Sequence, residues 1–404
     1  MTRTAAAALA FVLVAAVWGV LHVGWYEHGQ IIDYGEYQLY GDDIVHHDRL
    51  PYRDFPVEYP PAALPVFVIP SLFERFDYRR VFQILMFLCD VGLVLGVGAI
   101  AGRRAAVLAA VAPLALGSVV LSRFDLWPAA LAVLAVAALV RERLGISALL
   151  IGTAFAAKLW PVALVPVALV WLVRTRGSRA AAAWAGGALA TAAAWFLPFI
   201  VLSPGGVTHS FHVQLARPLQ LESLGGAILI GLHHVAGTTL HLTSSYGSQN
   251  LTGPGAHAAA IVTTIAELLA LAAACIVFAR GPATVERFVT SLAASIVALV
   301  AFGKVFSPQY MIWLIPFAVL VPRLRGAAAF ALLFAALVLT QLWFPSHYWA
   351  LTRLEAPQSG ELLARDLCTV ALFAVLAWPG LQHEVLGEHR SRLEALQRVR
   401  TQVE

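Results

Sequence analysis

Apolar runs of about twenty residues recur along the whole 404-residue chain, and each is long enough to cross a hydrocarbon core of roughly 30 Å as an α-helix. Hydrophobic residues make up 60% of the sequence and charged residues only 12%, whereas soluble domains are roughly 45–50% apolar and about 25% charged. The mean hydropathy is +0.78. These values exclude a soluble globular protein and predict an all-α polytopic membrane protein.

The apolar runs predict about twelve transmembrane helices, at residues 5–23, 81–101, 105–122, 126–140, 146–157, 159–173, 180–202, 256–279, 288–303, 308–321, 326–344 and 361–379. The first run has the length of a full span and no clear cleavage site, so we interpret it as a retained helix. We predict one transmembrane domain, residues 1–380, whose long first outer loop, residues 26–80, carries short interfacial helices. Residues 381–404 are predicted to be a basic, amphipathic cytoplasmic tail.

The charges of the loops predict the orientation, because Lys and Arg are retained on the cytoplasmic side. With the N-terminus inside, more than half of the 27 basic residues lie inside and the acidic first loop lies outside. Counting residues 224–240 as a span would move Arg323 and Arg325 outside, so we predict a re-entrant or interfacial segment there. The other inner basic residues are Arg3, Arg103, Arg104, Arg141, Arg143, Arg174, Arg176, Arg179, Arg280, Arg287, Arg390, Arg392, Arg398 and Arg400.

Several ionisable residues fall at the outer ends of predicted spans, where burial costs several kcal/mol unless the charge is paired or solvated. They are Arg123, Asp125, Lys158 and Lys304, and the first outer loop adds Asp33, Arg53, Asp54 and Glu58. Such a cluster suits a lipid-phosphate substrate, because Arg and Lys bind phosphate while a carboxylate acts as a base on a hydroxyl. The alternative is that Arg123 and Asp125 pair only with each other while the lysines snorkel to the interface.

Other polar residues are interpreted mainly as structural. Asp90 and Glu267 lie deeper and are interpreted as interhelical hydrogen-bonding groups or as residues against the cavity. A helical cluster has the spacing to bind a divalent cation, but a solvated helix face is the preferred interpretation, and no metal site is predicted. That cluster consists of Asp42, Asp43, His46, His47 and Asp48.

Sequence features of several other classes are missing. The chain has no phosphate-binding Gly-rich loop, no nucleophile elbow and no zinc-type Cys spacing. The net charge of +4 implies no nucleic-acid partner. We therefore predict no cofactor and no nucleotide-sugar donor.

The first outer loop contains Asp33-Tyr-Gly-Glu-Tyr37 and then Leu50-Pro-Tyr-Arg-Asp-Phe-Pro-Val-Glu-Tyr-Pro-Pro61, a pattern that resembles the loop signature of glycosyltransferase family 87, within the GT-C superfamily. Three further segments are similar to that family: Arg123-Phe-Asp-Leu-Trp-Pro128, Lys158-Leu-Trp-Pro161 and Lys304-Val-Phe-Ser-Pro-Gln-Tyr-Met-Ile-Trp313. The resemblance implies a GT-C-like fold.

The resemblance also implies inverting transfer of a sugar, commonly mannose, from a polyprenyl-phosphate donor to a lipid-linked or polysaccharide acceptor at the outer face of the plasma membrane. Asp33 matches the position of the general base, although Asp42, Asp43, Asp54 and Glu58 are also available. The residues predicted for the donor phosphate are Arg53, Lys158, Lys304 and Arg365. Those predicted for the sugar or acceptor are Tyr37, Asp54, Glu58, Arg123, Asp125, Gln309, Tyr310 and His347, of which His347 would support the base by a hydrogen bond.

Two other functions fit parts of the sequence. A transporter or flippase of lipid-linked sugars would also use broken helices and intramembrane charges, but the charges lie toward one face, whereas a transporter needs a site reachable from both. A non-catalytic scaffold would use the same charges only as structural pairs. The predicted partners of the enzyme are its donor, its acceptor and membrane lipids.

Overall fold

A computed structural model describes residues 3–27, 31 and 33–378 of the chain. The tail predicted at residues 381–404 lies outside the described residues. The described part is mainly helical, and its helices are α1 (Arg3–Leu21), α2 (Tyr34–Val45), α3 (Leu64–Ser71), α4 (Tyr78–Val111), α5 (Pro113–Leu116), α6 (Val119–Ser122), α7 (Leu126–Val140), α8 (Leu144–Ala157), α9 (Val165–Arg176), α10 (Ser178–Leu202), α11 (Pro204–Leu215), α12 (Leu224–Ala236), α13 (Pro254–Arg280), α14 (Val285–Phe302), α15 (Met311–Ala318), α16 (Arg323–Trp343), α17 (Tyr348–Thr352) and α18 (Ala356–Ala377).

Helix α4 folds back on itself at Gly102, whose φ of +82° and ψ of −175° are not helical. A Cβ at Gly98 would lie 3.2 Å from the Cβ of Ala106, although eight residues of continuous helix would separate them by about 12 Å along the axis. The two arms therefore form a hairpin, with Arg103 and Arg104 at its turn. This turn separates the spans predicted at 81–101 and 105–122.

Helices overlap each of the predicted spans, but the span predicted at 105–122 is divided between the end of α4, α5 and α6. Helix α7 has the predicted bounds, and the other spans differ mainly where proline shapes the chain. Short 3-10 helices, Trp160–Leu164 and Pro308–Tyr310, precede α9 and α15, because proline has no backbone N–H to continue a preceding helix. Helix α12 has 13 residues, too few to cross a bilayer of ordinary thickness.

Six helical segments of the described chain are long and apolar enough to cross a membrane: Thr4–Leu21, Tyr78–Leu116, Ser178–Leu202, Pro254–Arg280, Val285–Phe302 and Arg323–Trp343. Shorter apolar helices lie between them. The predicted multi-pass helical architecture is confirmed, while the count of twelve crossings stays a prediction.

A small antiparallel sheet interrupts the helical chain between α11 and α13. Its strands are β1 (Leu219–Gln220), β2 (His241–Ser245) and β3 (Ser248–Thr252), in the order β1-β3-β2. Tyr246 and Gly247 join β2 to β3, and both have positive φ angles, 53° and 65°, as a two-residue hairpin turn requires. These strands are not predicted by the sequence, because their short polar pattern is weak beside the apolar helices around them.

The helical bundle has enclosed and exposed members. Helices α7 and α14 are buried along most of their length, whereas α10 and α13 expose large apolar side chains such as Leu189 and Leu269. Apolar side chains on the outside of a membrane bundle face lipid. Between α1 and α4, Trp18 donates a hydrogen bond of 2.9 Å to Asp90, the interhelical role predicted for this carboxylate.

The basic loops meet at one end of the bundle. Arg174 donates to the carbonyl of Gly281 at 2.6 Å, Arg141 donates to that of Ala99, and Arg323 lies 3.5 Å from Glu286. This grouping agrees with the predicted assignment of these loops to a single side.

Candidate active site

Asp33 and Arg123 form an ion pair at the start of α2. Asp33 is the N-cap residue of that helix, but its side chain does not cap the helix. The Arg123 side chain is 7% exposed and that of Asp33 is 25% exposed. Arg123 also lies 3.5 Å from the carbonyl of Ile31, so one buried guanidinium holds the chain segment that presents the Asp33 carboxylate.

A second buried charge pair lies two residues further along the chain. Lys158 donates to Oδ1 of Asp125 at 2.7 Å, and the indole of Trp313 donates to the same oxygen at 2.6 Å. Asp125 is fully buried, and its Oδ2 has no hydrogen-bond partner among the described residues. Arg123 and Asp125 therefore have separate partners, and the alternative in which they pair only with each other is wrong.

Aromatic rings surround the ammonium group of Lys158. Their centroids lie 4.7–5.9 Å from Nζ, within the range of cation–π attraction, and the rings are those of Tyr59, Phe124, Tyr310 and Trp313. The side chain of Lys158 is only 15% exposed. The alternative in which Lys158 snorkels to the interface is therefore also wrong.

A third charged group lies beneath the loop that leads into α15. Arg365 is fully buried, lies 2.7 Å from Asp366, donates to the carbonyl of Glu222 at 2.5 Å and stacks 3.6 Å from the ring centroid of Phe306. Its guanidinium has no exposed surface for a phosphate, contrary to the role predicted for it. Its contacts instead fix the segment that follows Lys304.

Glu222 connects this group to the first ion pair. It is buried, and burial raises its pKa to about 8 despite the opposing positive charges of Arg365 and Arg123. Gln220 donates a hydrogen bond to its carboxyl group and accepts one from the backbone of Phe306. Residues 220–222 therefore link the small sheet to the charged end of the bundle.

Carboxylates of the first outer loop line a neighbouring cleft of about 450 Å³. Glu58 lies 3.7 Å from Arg217, and its pKa is raised by burial and by the negative charge of Glu36. Glu36 accepts a hydrogen bond from the hydroxyl of Tyr40 at 2.5 Å. Glu58 thus lies in the cleft beside Tyr40 and Arg217, with 29% of its side chain exposed.

Three other predicted site residues lie apart from this centre, and a fourth, Tyr37, is buried against the rings of Tyr59 and Phe124. Arg53 and Asp54 form an exposed ion pair with each other. Tyr37 is 1% exposed and stacks on Phe67 at 4.6 Å, so it belongs to the core and has no free face for a sugar. His347 lies 3.0 Å from the carbonyl of Leu342, and the predicted hydrogen bond to Asp33 is not formed.

The 304–313 segment contains three of the predicted site residues, Lys304, Gln309 and Tyr310. Lys304 donates to the carbonyl of Leu215 at 2.8 Å, and partial burial lowers its pKa while Glu267 opposes that shift. Gln309 accepts from Ser307, and Tyr310 stacks on Trp313 with centroids 3.9 Å apart. Only Tyr310 of these predicted residues lies against the Lys158 site.

The helical cluster whose spacing could suit a divalent cation has carboxylates that accept hydrogen bonds from other side chains of the protein. Asp42 accepts from Ser71 at 2.7 Å, and Asp43 accepts two bonds of 3.0 Å from Arg49. Within the described ranges, no three His, Cys, Asp or Glu residues are grouped so as to hold a metal ion.

Sequence reasoning missed Glu222 and Arg217 as members of the charged centre, and it did not predict that Trp313 binds Asp125. Glu222 and Arg217 precede the apolar segment at residues 224–240, so the criterion applied to Lys158 would have selected them. Trp313 ends the family-like segment that begins at Lys304, but no feature of the sequence indicated that its partner is Asp125.

Comparisons with known proteins identify relatives of this chain. The model of glycosyltransferase family 87 matches residues 57–308. A crystal structure of ArnT from Cupriavidus metallidurans bound to undecaprenyl phosphate matches with a TM-score of 0.51 and 16% identity, covering 96% of this chain and 79% of that chain. The apo structure of the same protein matches with a TM-score of 0.48 and 16% identity, covering 93% and 77% of the two chains. No curated protein matches the sequence.

Proposed function

The chain belongs to glycosyltransferase family 87, and from this premise we propose that it transfers a sugar, mannose, from a polyprenyl-phosphate donor to a lipid-linked or polysaccharide acceptor at the extracytoplasmic face. The fold shared with ArnT supports a GT-C architecture. The undecaprenyl phosphate bound to that protein supports a polyprenyl-phosphate donor here. Mannose rests on the resemblance of the sequence motifs.

One observation carries the proposed chemistry. A partly exposed carboxylate, Asp33, is held by the buried Arg123 at the end of the bundle opposite the basic loops. A base for glycosyl transfer needs access to an acceptor hydroxyl and a fixed position beside the donor. Among the carboxylates of the first loop, Asp33 combines a matching motif position, partial exposure and a buried cationic partner.

The reaction would proceed by a single displacement. The acceptor oxygen attacks the anomeric carbon as Asp33 takes its proton, the bond from that carbon to the phosphate oxygen breaks, and the configuration inverts. Polyprenyl phosphate leaves as a stable anion, so no general acid is required. We propose that Lys158 and Lys304 contribute positive charge near this leaving group.

Transfer of labelled mannose from polyprenyl-phosphate-mannose in membranes that contain the chain tests this proposal. Wild type should transfer label to an endogenous acceptor, and Asp33→Asn, expressed at an equal level, should lose transfer by about 10²–10⁴-fold. Asp54→Asn is a matched control, because its exposed carboxylate pairs with Arg53 away from the site.

Transfer by Asp33→Asn near the wild-type rate would show that Asp33 is not the base. Movement of the intact donor across the membrane by wild type, without transfer, would instead identify a flippase.

A further inference from the structure

A groove at the basic end of the bundle separates α1 from the α4 hairpin. Its volume is about 490 Å³, and its apolar wall includes Ala6, Ala10, Leu13 and Val94. We name it the α1–α4 groove. Its size is within the roughly 300–1,000 Å³ of small-molecule sites, and its apolar lining suits a hydrocarbon chain.

Two arginines, Arg103 and Arg141, complete the lining of the α1–α4 groove. Arg141 is anchored by its hydrogen bond of 2.8 Å to the carbonyl of Ala99. A guanidinium carries five N–H donors, so this bond leaves others for a ligand. No carboxylate pairs with either arginine in the part of the chain that the structure describes.

A second cavity at the same end provides a contrast. It has a volume of about 480 Å³ and includes Arg104 and Arg323, but Glu286 also lines it. The side chain of Glu286 lies 3.5 Å from that of Arg323 and offsets its charge. Of the two cavities, the α1–α4 groove therefore has the stronger positive field for an anion.

We propose that the α1–α4 groove binds one anionic phospholipid of the cytoplasmic leaflet, with an acyl chain along the apolar wall and the phosphate between Arg103 and Arg141. Basic pockets between transmembrane helices on the cytoplasmic side bind anionic lipid headgroups in this way. The site lies at the opposite end from Asp33, and its existence does not depend on the proposed glycosyl transfer.

The bound lipid would pack α1 against the α4 hairpin. The two helices also meet through the hydrogen bond from Trp18 to Asp90 and through the rings of Phe11 and Phe87, whose centroids lie 5.1 Å apart. Because α1 leads toward the loop that carries Asp33, a lipid in the groove would also steady the origin of that loop.

Native mass spectrometry of the full chain, in detergent with phosphatidylglycerol or phosphatidylcholine added, tests the headgroup. Wild type should retain one phosphatidylglycerol in preference to phosphatidylcholine. The double variant Arg103→Gln/Arg141→Gln should bind phosphatidylglycerol about thirtyfold more weakly, because each basic residue near an anionic headgroup contributes about fivefold. Arg104→Gln/Arg323→Gln, in the second cavity, is the matched control and should bind as wild type does.

A third variant tests the acyl chain. Ala6→Trp should fill the groove and abolish retention while both arginines remain, and inorganic phosphate should not displace the lipid. Equal retention by wild type and Arg103→Gln/Arg141→Gln, with unchanged thermal unfolding, would overturn the proposal. Displacement by inorganic phosphate, or full retention by a folded Ala6→Trp, would overturn the placement of a lipid chain in the groove.

Discussion

Asp125 and Lys158 occupy the same position in two Leu-Trp-Pro segments, Asp125-Leu-Trp-Pro128 and Lys158-Leu-Trp-Pro161, and their side chains meet at 2.7 Å. Asp125 is the N-cap residue of α7, whereas Lys158 is the C-cap residue of α8. The two segments therefore present opposite charges to each other inside the bundle. The indole of Trp313 completes this contact from a third segment.

Removal of one member of this pair should destabilise the protein strongly. Lys158→Met leaves Asp125 buried with only Trp313 as its partner, and an uncompensated buried charge costs roughly 3–5 kcal/mol. The double variant Lys158→Met/Asp125→Asn should lose much less than the sum of the two single variants. Thermal unfolding of all four proteins in one detergent measures the coupling, and additive losses would contradict a direct pair.

Trp313 should stabilise the folded protein through its N–H group as well as through its ring. Trp313→Phe keeps an aromatic ring beside Lys158 but removes the hydrogen bond of 2.6 Å to Asp125. We expect a loss of about 1–3 kcal/mol, the cost of leaving a buried acceptor short of a donor. Trp349→Phe is a suitable control, because Trp349 is 60% exposed. Equal unfolding temperatures for Trp313→Phe and wild type would refute the role of the hydrogen bond.

Arg123 should be required for transfer because it positions Asp33. Arg123→Gln removes the charged partner and should lower transfer by about 10–100-fold, corresponding to a charged hydrogen bond of about 1.5–3 kcal/mol. Arg123→Lys keeps the charge and should recover part of the rate. The assay is transfer of labelled mannose at equal protein level, and a rate unaffected by Arg123→Gln would separate Arg123 from the reaction.

Glu222 should make the folded state less stable as the pH rises. Its pKa in the folded protein is about 8, above the ordinary value of 4.5, because burial disfavours the charged form. The folded chain therefore binds more protons than the unfolded chain between these values, and stability falls as the pH rises from about 5 to about 8.

The comparison with Glu222→Gln measures this effect. Glutamine stays neutral at every pH, so the unfolding temperature of the variant should gain on that of wild type between pH 5.5 and pH 8.5. Parallel pH profiles for the two proteins would show that Glu222 does not titrate in this range.

The sequence located most of the charged centre but not its internal arrangement. Arg123, Asp125 and Lys158 stand out in the sequence because charged groups in apolar surroundings are costly, and the structure buries the first two and leaves the Lys158 side chain only 15% exposed. The family resemblance assigned Arg365 to a phosphate site, yet this side chain is fully buried and stacks on Phe306. The free-energy cost of burial implies that a buried charge has a partner, but it does not show which neighbour is that partner.

The sequence by itself determined the helices and the separation of basic and acidic loops, because hydrophobic length and the residues that break helices act locally along the chain. The bounds of α7 follow from this local information. Only the tertiary structure decided that Asp33 pairs with Arg123 and that Trp313 binds Asp125. The second pair is 188 residues apart in sequence, and such partners are fixed by how the helices pack, which no local pattern encodes.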